Sequence, residues 1–291
     1  MYSRAFSRIS FCVTSLALIA GYGAANAQTA NQGLIQTAPA MVPTVPAAAE
    51  AEMQRSIELS TGYQNLTGGF GSWRDVTVKG IYGLPSHLLQ AEISVNNRFN
   101  QQGVFVGLSD TITFNDDWYG TVAVGFGDGA FYLPRYRVDA SLNKKWLPQK
   151  NLVTSIGAGH YRAPGGSTDN SLSLGLVYYF DAPWVAEVGI RANTSNPGAI
   201  TTQQQFVALT YGQVKENLVT VRHAWGGEGY QNIAANSQAA NSQLVNFASK
   251  ETSVSWRHWL APRTGVLINA NRYTNPFYNR NGLNVGIFHD F

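Results

Sequence analysis

Over most of the chain, apolar residues return at every second position in short runs. Leu89, Ala91, Ile93, Val95 and Phe99 alternate with Gln90, Glu92, Ser94, Asn96 and Arg98. Tyr136, Val138, Ala140 and Leu142 oppose Arg135, Arg137, Asp139, Ser141 and Asn143 in the same way. So do Leu172, Leu174, Leu176, Tyr178 and Phe180 against Ser171, Ser173 and Gly175. Trp184, Ala186, Val188, Ile190 and Ala192 likewise face away from Glu187, Gly189, Arg191 and Asn193. A period of two belongs to a β-strand with one apolar and one polar face. The final residues repeat it, with Leu283, Val285, Ile287, His289 and the terminal Phe291 on one parity. The pattern predicts strands at about 57–66, 73–83, 87–99, 103–114, 118–127, 131–146, 151–162, 170–180, 184–194, 203–215, 218–227, 250–260, 264–273 and 282–291. That is about fourteen strands, and twelve or sixteen fit the same pattern.

The connections between these segments sort by length. Leu84-Pro85-Ser86, Asn115-Asp116-Asp117, Leu147-Pro148-Gln149-Lys150, Asp181-Ala182-Pro183, Lys215-Glu216-Asn217 and Ala261-Pro262-Arg263 are tight and rich in turn residues. The intervening connections include Ala163 to Asp169, Thr194 to Thr202, Gly226 to Ser249 and Thr274 to Asn281, which are longer. Short inner turns alternating with longer outer loops are the mark of an all-β, antiparallel transmembrane β-barrel. Trp118, Trp146, Trp184 and Trp259 flank short turns, and Trp73 and Trp225 lie beside outer loops. Indole rings prefer the membrane–water interface, so these six are expected to form two aromatic girdles. Core packing would instead place tryptophans mid-strand, and only Trp256 comes near that description.

Composition agrees with this reading. Charged residues make up 13% and aromatic residues 12% of the chain, with 29 glycines, against about 25% charge in ordinary soluble domains. The amino terminus reads as an address. Arg4 and Arg8 precede the apolar stretch Ile9 to Ala20, and Ala25-Asn26-Ala27 supplies a small-x-small cleavage site. Residues 1–27 are therefore expected to be a signal peptide, and the only cysteine, Cys12, goes with it. Residues 28–54, rich in Ala, Pro, Thr and Gln, read as a flexible periplasmic segment. Residues 55–291 then form the barrel in the outer membrane of a Gram-negative bacterium. The last strand, ending in Phe291, resembles the closing strand of bacterial outer-membrane barrels, which the barrel assembly machinery reads; that resemblance implies outer-membrane lipid and the assembly machinery as partners. A net charge of +3 is too small to argue for nucleic acid.

Three stretches carry a family likeness. Trp256-Arg257-His258-Trp259-Leu260 with Pro262-Arg263 and Gly265, Tyr278-x-Arg280-x-Gly282-Leu283 with Phe291, and Gly71-Ser72-Trp73-Arg74-Asp75 together resemble the YaiO-type outer-membrane barrel. The resemblance runs from about Ile57 to Phe291. It implies a pore of the kind found behind periplasmic tetratricopeptide scaffolds in exopolysaccharide exporters. Gln28 to Gln54 is shorter than one 34-residue repeat, so export of a polysaccharide would call for a separate periplasmic scaffold.

Candidate chemistry is sparse. His87, His160, His223, His258 and His289 are scattered, with no neighbouring serine at a spacing that suits a triad. Asp116-Asp117 falls in a tight turn, where aspartate is ordinary. No spacing suits a metal, a nucleotide or another cofactor, and the protein is expected not to be an enzyme. The informative polar residues are those of lumen parity: Glu92, Arg98, Arg135, Arg137, Asp139, Glu187 and Arg191. They form either a wet lining for a passive pore that serves polysaccharide export, or a lattice of cross-lumen ion pairs in a structural or nonspecific porin-like barrel. A lipid-modifying enzyme is the third reading. Whichever holds, the last strand must close the cylinder. Removal of His289 to Phe291 is expected to lower sharply the heat-modifiable folded form in outer membranes; a normal folded yield would overturn the barrel reading.

Overall fold

The computed structural model describes residues 54–181, 183–231 and 244–291. The expected signal peptide with Cys12, the lead-in segment up to residue 53, Ala182 of one turn and 232–243 of one outer loop lie outside the described residues. The fold is a single antiparallel sheet closed into a barrel of fourteen strands. The strands are β1 (Arg55–Leu66), β2 (Ser72–Gly83), β3 (His87–Arg98), β4 (Gln101–Thr113), β5 (Trp118–Gly127), β6 (Tyr136–Trp146) and β7 (Leu152–Arg162), followed by β8 (Thr168–Tyr179), β9 (Trp184–Asn196), β10 (Ile200–Gln213), β11 (Asn217–Gln231), β12 (Leu244–Ala261), β13 (Thr264–Thr274) and β14 (Asn279–Asp290). Each pairs with its sequence neighbours. The seam joins β1 to β14, in register from Ser56 opposite Asp290 to Leu66 opposite Arg280. Just beyond it the Phe291 amide donates to the Arg55 carbonyl at 2.9 Å.

The two faces are inverted relative to a soluble protein. Ile93, Leu172, Leu174 and Ile287 point outward with 54–66% of their surface exposed, while the adjacent Ser94, Asn96 and Arg98 point inward and are buried. Such a wall is stable only where hydrocarbon replaces water around it. The alternation read from residues 89–98, 136–143, 171–180 and 184–193 is the facing found in the structure.

The structure corrects the boundaries at one end. The segment expected as a strand from residue 131 becomes one only at Tyr136, because Asp128-Gly129 turns the chain and Pro134 has no N–H for a ladder. Residues 128–135 instead fold back as a loop. Conversely, the described residues of the expected loop from Gly226 to Ser249 are strand, with Gly226 paired to Ser249 and the ladder running on to Gln231 opposite Leu244. Beyond the membrane both faces are wet, so apolar alternation fades while backbone pairing continues.

Two expected girdle residues are corrected as well. Trp73 is fully buried inside the barrel and Trp259 is 8% exposed there, since both share the parity of inward neighbours, Asp75 and Arg257. Proximity to a loop fixes height along the barrel but not facing. Trp256, the one tryptophan near mid-strand, points outward and stacks on His258 with ring centroids 5.1 Å apart. Trp146, Trp184 and Trp225 are outward as expected, and Lys144 lies 5.0 Å from the Trp118 ring and 3.7 Å from that of Trp146.

Facing has a measurable consequence. Val138 is outward, 41% exposed, between Val124 and His160 on neighbouring strands. Val138→Arg is expected to cost about 2–4 kcal/mol in reversible folding into lipid vesicles if that position lies near the bilayer midplane. Val138→Leu should leave the unfolding transition in place. Equal effects of the two changes would mean that β6 faces the other way.

Candidate functional site in the barrel interior

The interior is crowded for a barrel of this strand number. Side chains facing inward on every part of the wall, among them Lys79, Asn143, Thr210 and Asn284, are only 4–8% exposed. Three aromatic clusters fill its ends. At the end that holds both termini of the sheet, Leu218, Trp259 and Phe288 pack together, and Tyr119, Val153 and Tyr179 form a second group. At the opposite end, Leu66, Trp73, Tyr273 and Tyr278 pack with Phe70 and Phe99.

Buried cations are built into these clusters. Arg257 lies 3.6 Å from the Phe288 ring centroid and 5.0 Å from that of Trp259. Its guanidinium bonds Glu58 past the two intervening strands and lies 3.7 Å from Asp290, which also accepts from Trp259 Nε1 at 2.9 Å. Arg280 sits between the Trp73 and Tyr273 rings and reaches Glu251 at 3.1 Å. Glu228 accepts from Tyr273 Oη at 2.9 Å and from Ser249. The ties of Arg257 to Glu58, Arg280 to Glu251 and Tyr273 to Glu228 join β1 to β12, β12 to β14 and β11 to β13, none of which are neighbours in the sheet. They brace the wall across its own curvature.

The residues expected in the lumen divide. Arg137 pairs with Asp139, Nη2 to Oδ2 at 2.6 Å, and Arg191 donates to Ser171 Oγ at 2.9 Å. Arg98 and Glu187 are each 3% exposed, and Arg98 lies over the Trp73 and Tyr132 rings at 5.3 and 5.4 Å. Glu92 lines a small cavity with Lys79 and Arg137. Arg135 does not join them; it is exposed in the loop before β6, its amide held by the Arg162 carbonyl. Glu58, Lys79, Arg222, Glu228, Glu251, Arg257 and Arg280 are interior charges that alternation alone did not single out. Their strands carry aromatic or polar residues on both faces, which blurs the period.

The 128–135 loop enters the barrel mouth. Ala130, Tyr132 and Leu133 are buried there, and Tyr132 Oη donates to the carbonyls of Asn96 and Gln101 at 2.8 and 3.1 Å. Asp128 accepts from the amides of Val104 and Ala130. Gly103 makes room: a Cβ on it would lie 2.7 Å from that of Ala130 and 2.8 Å from Leu133 Cδ1. All five histidines lie outside the lumen, bonded through Nδ1 to Asp110, Asn170, Thr252, Asn217 and Thr264 on neighbouring strands. Among the described residues, no three of His, Cys, Asp and Glu converge as a metal site.

Residues 54–231, from the start of β1 to the end of β11, match the YaiO membrane beta barrel domain. The chain belongs to that family. Of the stretches that carried the likeness, Gly71 to Asp75 falls within the match, whereas the two near the carboxy terminus lie beyond it. No curated protein sequence matches the chain. Among solved structures, the CymD monoaromatic hydrocarbon channel superposes with a TM-score of 0.55 at 7% identity, covering 82% of this chain and 88% of the channel. A bacterial polysaccharide outer membrane secretin superposes at 0.53 and 9% identity, covering 81% and 98%. At such identities these likenesses speak for the fold. This YaiO-family chain is an outer-membrane β-barrel.

The ion-pair ties should carry stability. Glu58→Gln leaves Arg257 with less compensation at a position 8% exposed and is expected to cost about 3–5 kcal/mol in unfolding from vesicles or detergent. Adding Arg257→Met should recover most of that loss, because the stranded charge is gone. If the double variant is as unstable as the single one, the pair does not act as a unit.

Proposed function

We propose that this barrel is an outer-membrane conduit, closed at rest, that serves the export of a polysaccharide. The observation that carries the reading is the 128–135 loop. The wall is held by continuous ladders, but this inserted segment rests on a few hydrogen bonds and apolar contacts, and a glycine is kept opposite it to admit it. Segments held this lightly open at low cost compared with core strands. A glycan as cargo is what the resemblance to YaiO-type barrels implies, and the fold is one that a polysaccharide secretin shares, as does a hydrocarbon channel. Passage would need a separate periplasmic scaffold to deliver the chain, and assembly would need the barrel-assembly machinery. We assign no catalytic role: the outward histidines bond to Thr, Asn and Asp side chains that fit girdle positions, without a serine among those partners.

A structural barrel is the second reading, favoured by the buried ties through Arg257, Arg280 and Glu228. Planar-bilayer recording separates the two. Gly103→Val, which drives the loop from its seat, and Tyr132→Phe, which removes its two hydrogen bonds, are each expected to raise the frequency of open events at least tenfold over the native protein. Silence from the native chain and from both variants, all folded, would leave the structural reading standing alone.

A further inference from the structure

A chamber lies at mid-height in the barrel between β7 and β11, with about 60 Å³ open to the centre of a water molecule. That is room for roughly four waters, or for one phosphate or carboxylate group. Glycines open it: a Cβ on Gly175 would lie 2.4 Å from Ser155 Oγ, and one on Gly157 would lie 2.6 Å from Ser173 Oγ. Gly189 gives the Phe206 ring its place, since a Cβ there would be 2.3 Å from Phe206 Cε1. Phe206 in turn carries the Arg222 guanidinium, 3.5 Å above its centroid. Stacking of this kind covers the face of the guanidinium and leaves its N–H edge for acceptors.

Arg222 is 9% exposed, and its buried Nη1 has no hydrogen-bond partner. The carboxylates that act on it most, Glu187 and Glu251, do not line the chamber, and Glu251 is engaged by Arg280. Arg191 lines the same chamber from β9. Two guanidinium groups thus border one small space with two serine hydroxyls and no carboxylate among its lining residues. A buried cationic N–H without an acceptor is costly, and a planar oxyanion is the ligand that guanidinium forks fit. We propose that this chamber binds an oxyanion, a carboxylate or phosphate group held between Arg222 and Arg191, with Ser155 and Ser173 as further donors. Such a site needs a way in for a small anion but no passage through the barrel, so it stands apart from the conduit reading.

Thermal unfolding of the full chain in detergent tests this, with inorganic phosphate, galacturonate or glucose added at ionic strength fixed by sodium chloride. Ligand that binds the folded state alone raises the midpoint. Phosphate or galacturonate is expected to raise it and glucose to leave it unchanged. Arg222→Gln should weaken the anion's apparent affinity at least tenfold. Ser173→Asp, which supplies an internal carboxylate to the same space, should raise the midpoint by itself and abolish the response to added anion, and it keeps the test decisive if Arg222→Gln does not fold. A response to phosphate alone assigns the site to free phosphate, and a response to galacturonate assigns it to the carboxylate of an acidic sugar. No response to either anion, or a response that survives Ser173→Asp, overturns the proposal.

Discussion

Hydrocarbon offers no partner to a peptide N–H or C=O, so every backbone polar group in the membrane must be satisfied within the protein. That constraint explains why the first strand must meet the last. Without the pairing of β1 and β14 the sheet would present two edges to lipid. It also explains why the outward face tolerates almost nothing but apolar side chains over the membrane-spanning lengths. The inward face is released from that demand, because inside a closed cylinder a polar group answers only to its neighbours and to trapped water.

A cylinder of fourteen strands encloses more space than its inward side chains need fill if they are small. Here they are large, and the largest come in pairs of complementary kind. Arginine can lie flat on an indole or phenyl ring and still present its N–H edge to a carboxylate. Arg257, over Phe288 and Trp259 and bonded to Glu58, therefore fills volume and ties distant strands at once. Each such charge is secure only while its partner remains, which makes the interior a set of linked sites rather than a loose lining.

Much of this was legible in the sequence, and the lipid face was the reason. Ile93, Val138 and Leu174 obey a rule with a period of two that no other environment imposes so strictly. The interior obeys no comparable rule. Trp73 and Trp259 stand beside loops, as girdle residues do, and only the parity of Asp75 and Arg257 distinguishes them. Arg222 lies in a strand where Val219, Val221, His223 and Trp225 mix aliphatic, basic and aromatic residues on the lipid side, so its facing was blurred. Ala130 and Tyr132 extend the apolar parity of Tyr136 and Val138 backwards and mimic a strand. Asp128-Gly129 and Pro134 were the signals against it, and they correspond to the loop that fills the mouth.

The two halves of the interior are not equivalent. From β11 through β14 to β1, aromatic clusters and the ties through Arg257, Arg280 and Glu228 occupy the lumen. From β2 to β11 lie the two mid-height cavities, one beside Phe105 and Arg137 and the other beside Phe206 and Arg222. In each, a phenyl ring lies against glycine, with Phe105 Cζ 2.6 Å from a Cβ that Gly125 lacks. The glycines bring these rings onto bare backbone, and in the second cavity the ring in turn carries the Arg222 guanidinium. The inserted loop packs inside the mouth on this same side, against β3 and β4. The tied side holds the cylinder's shape, and the β2 to β11 side, though closed at one end by Tyr119, Val153 and Tyr179, keeps its two cavities at mid-height.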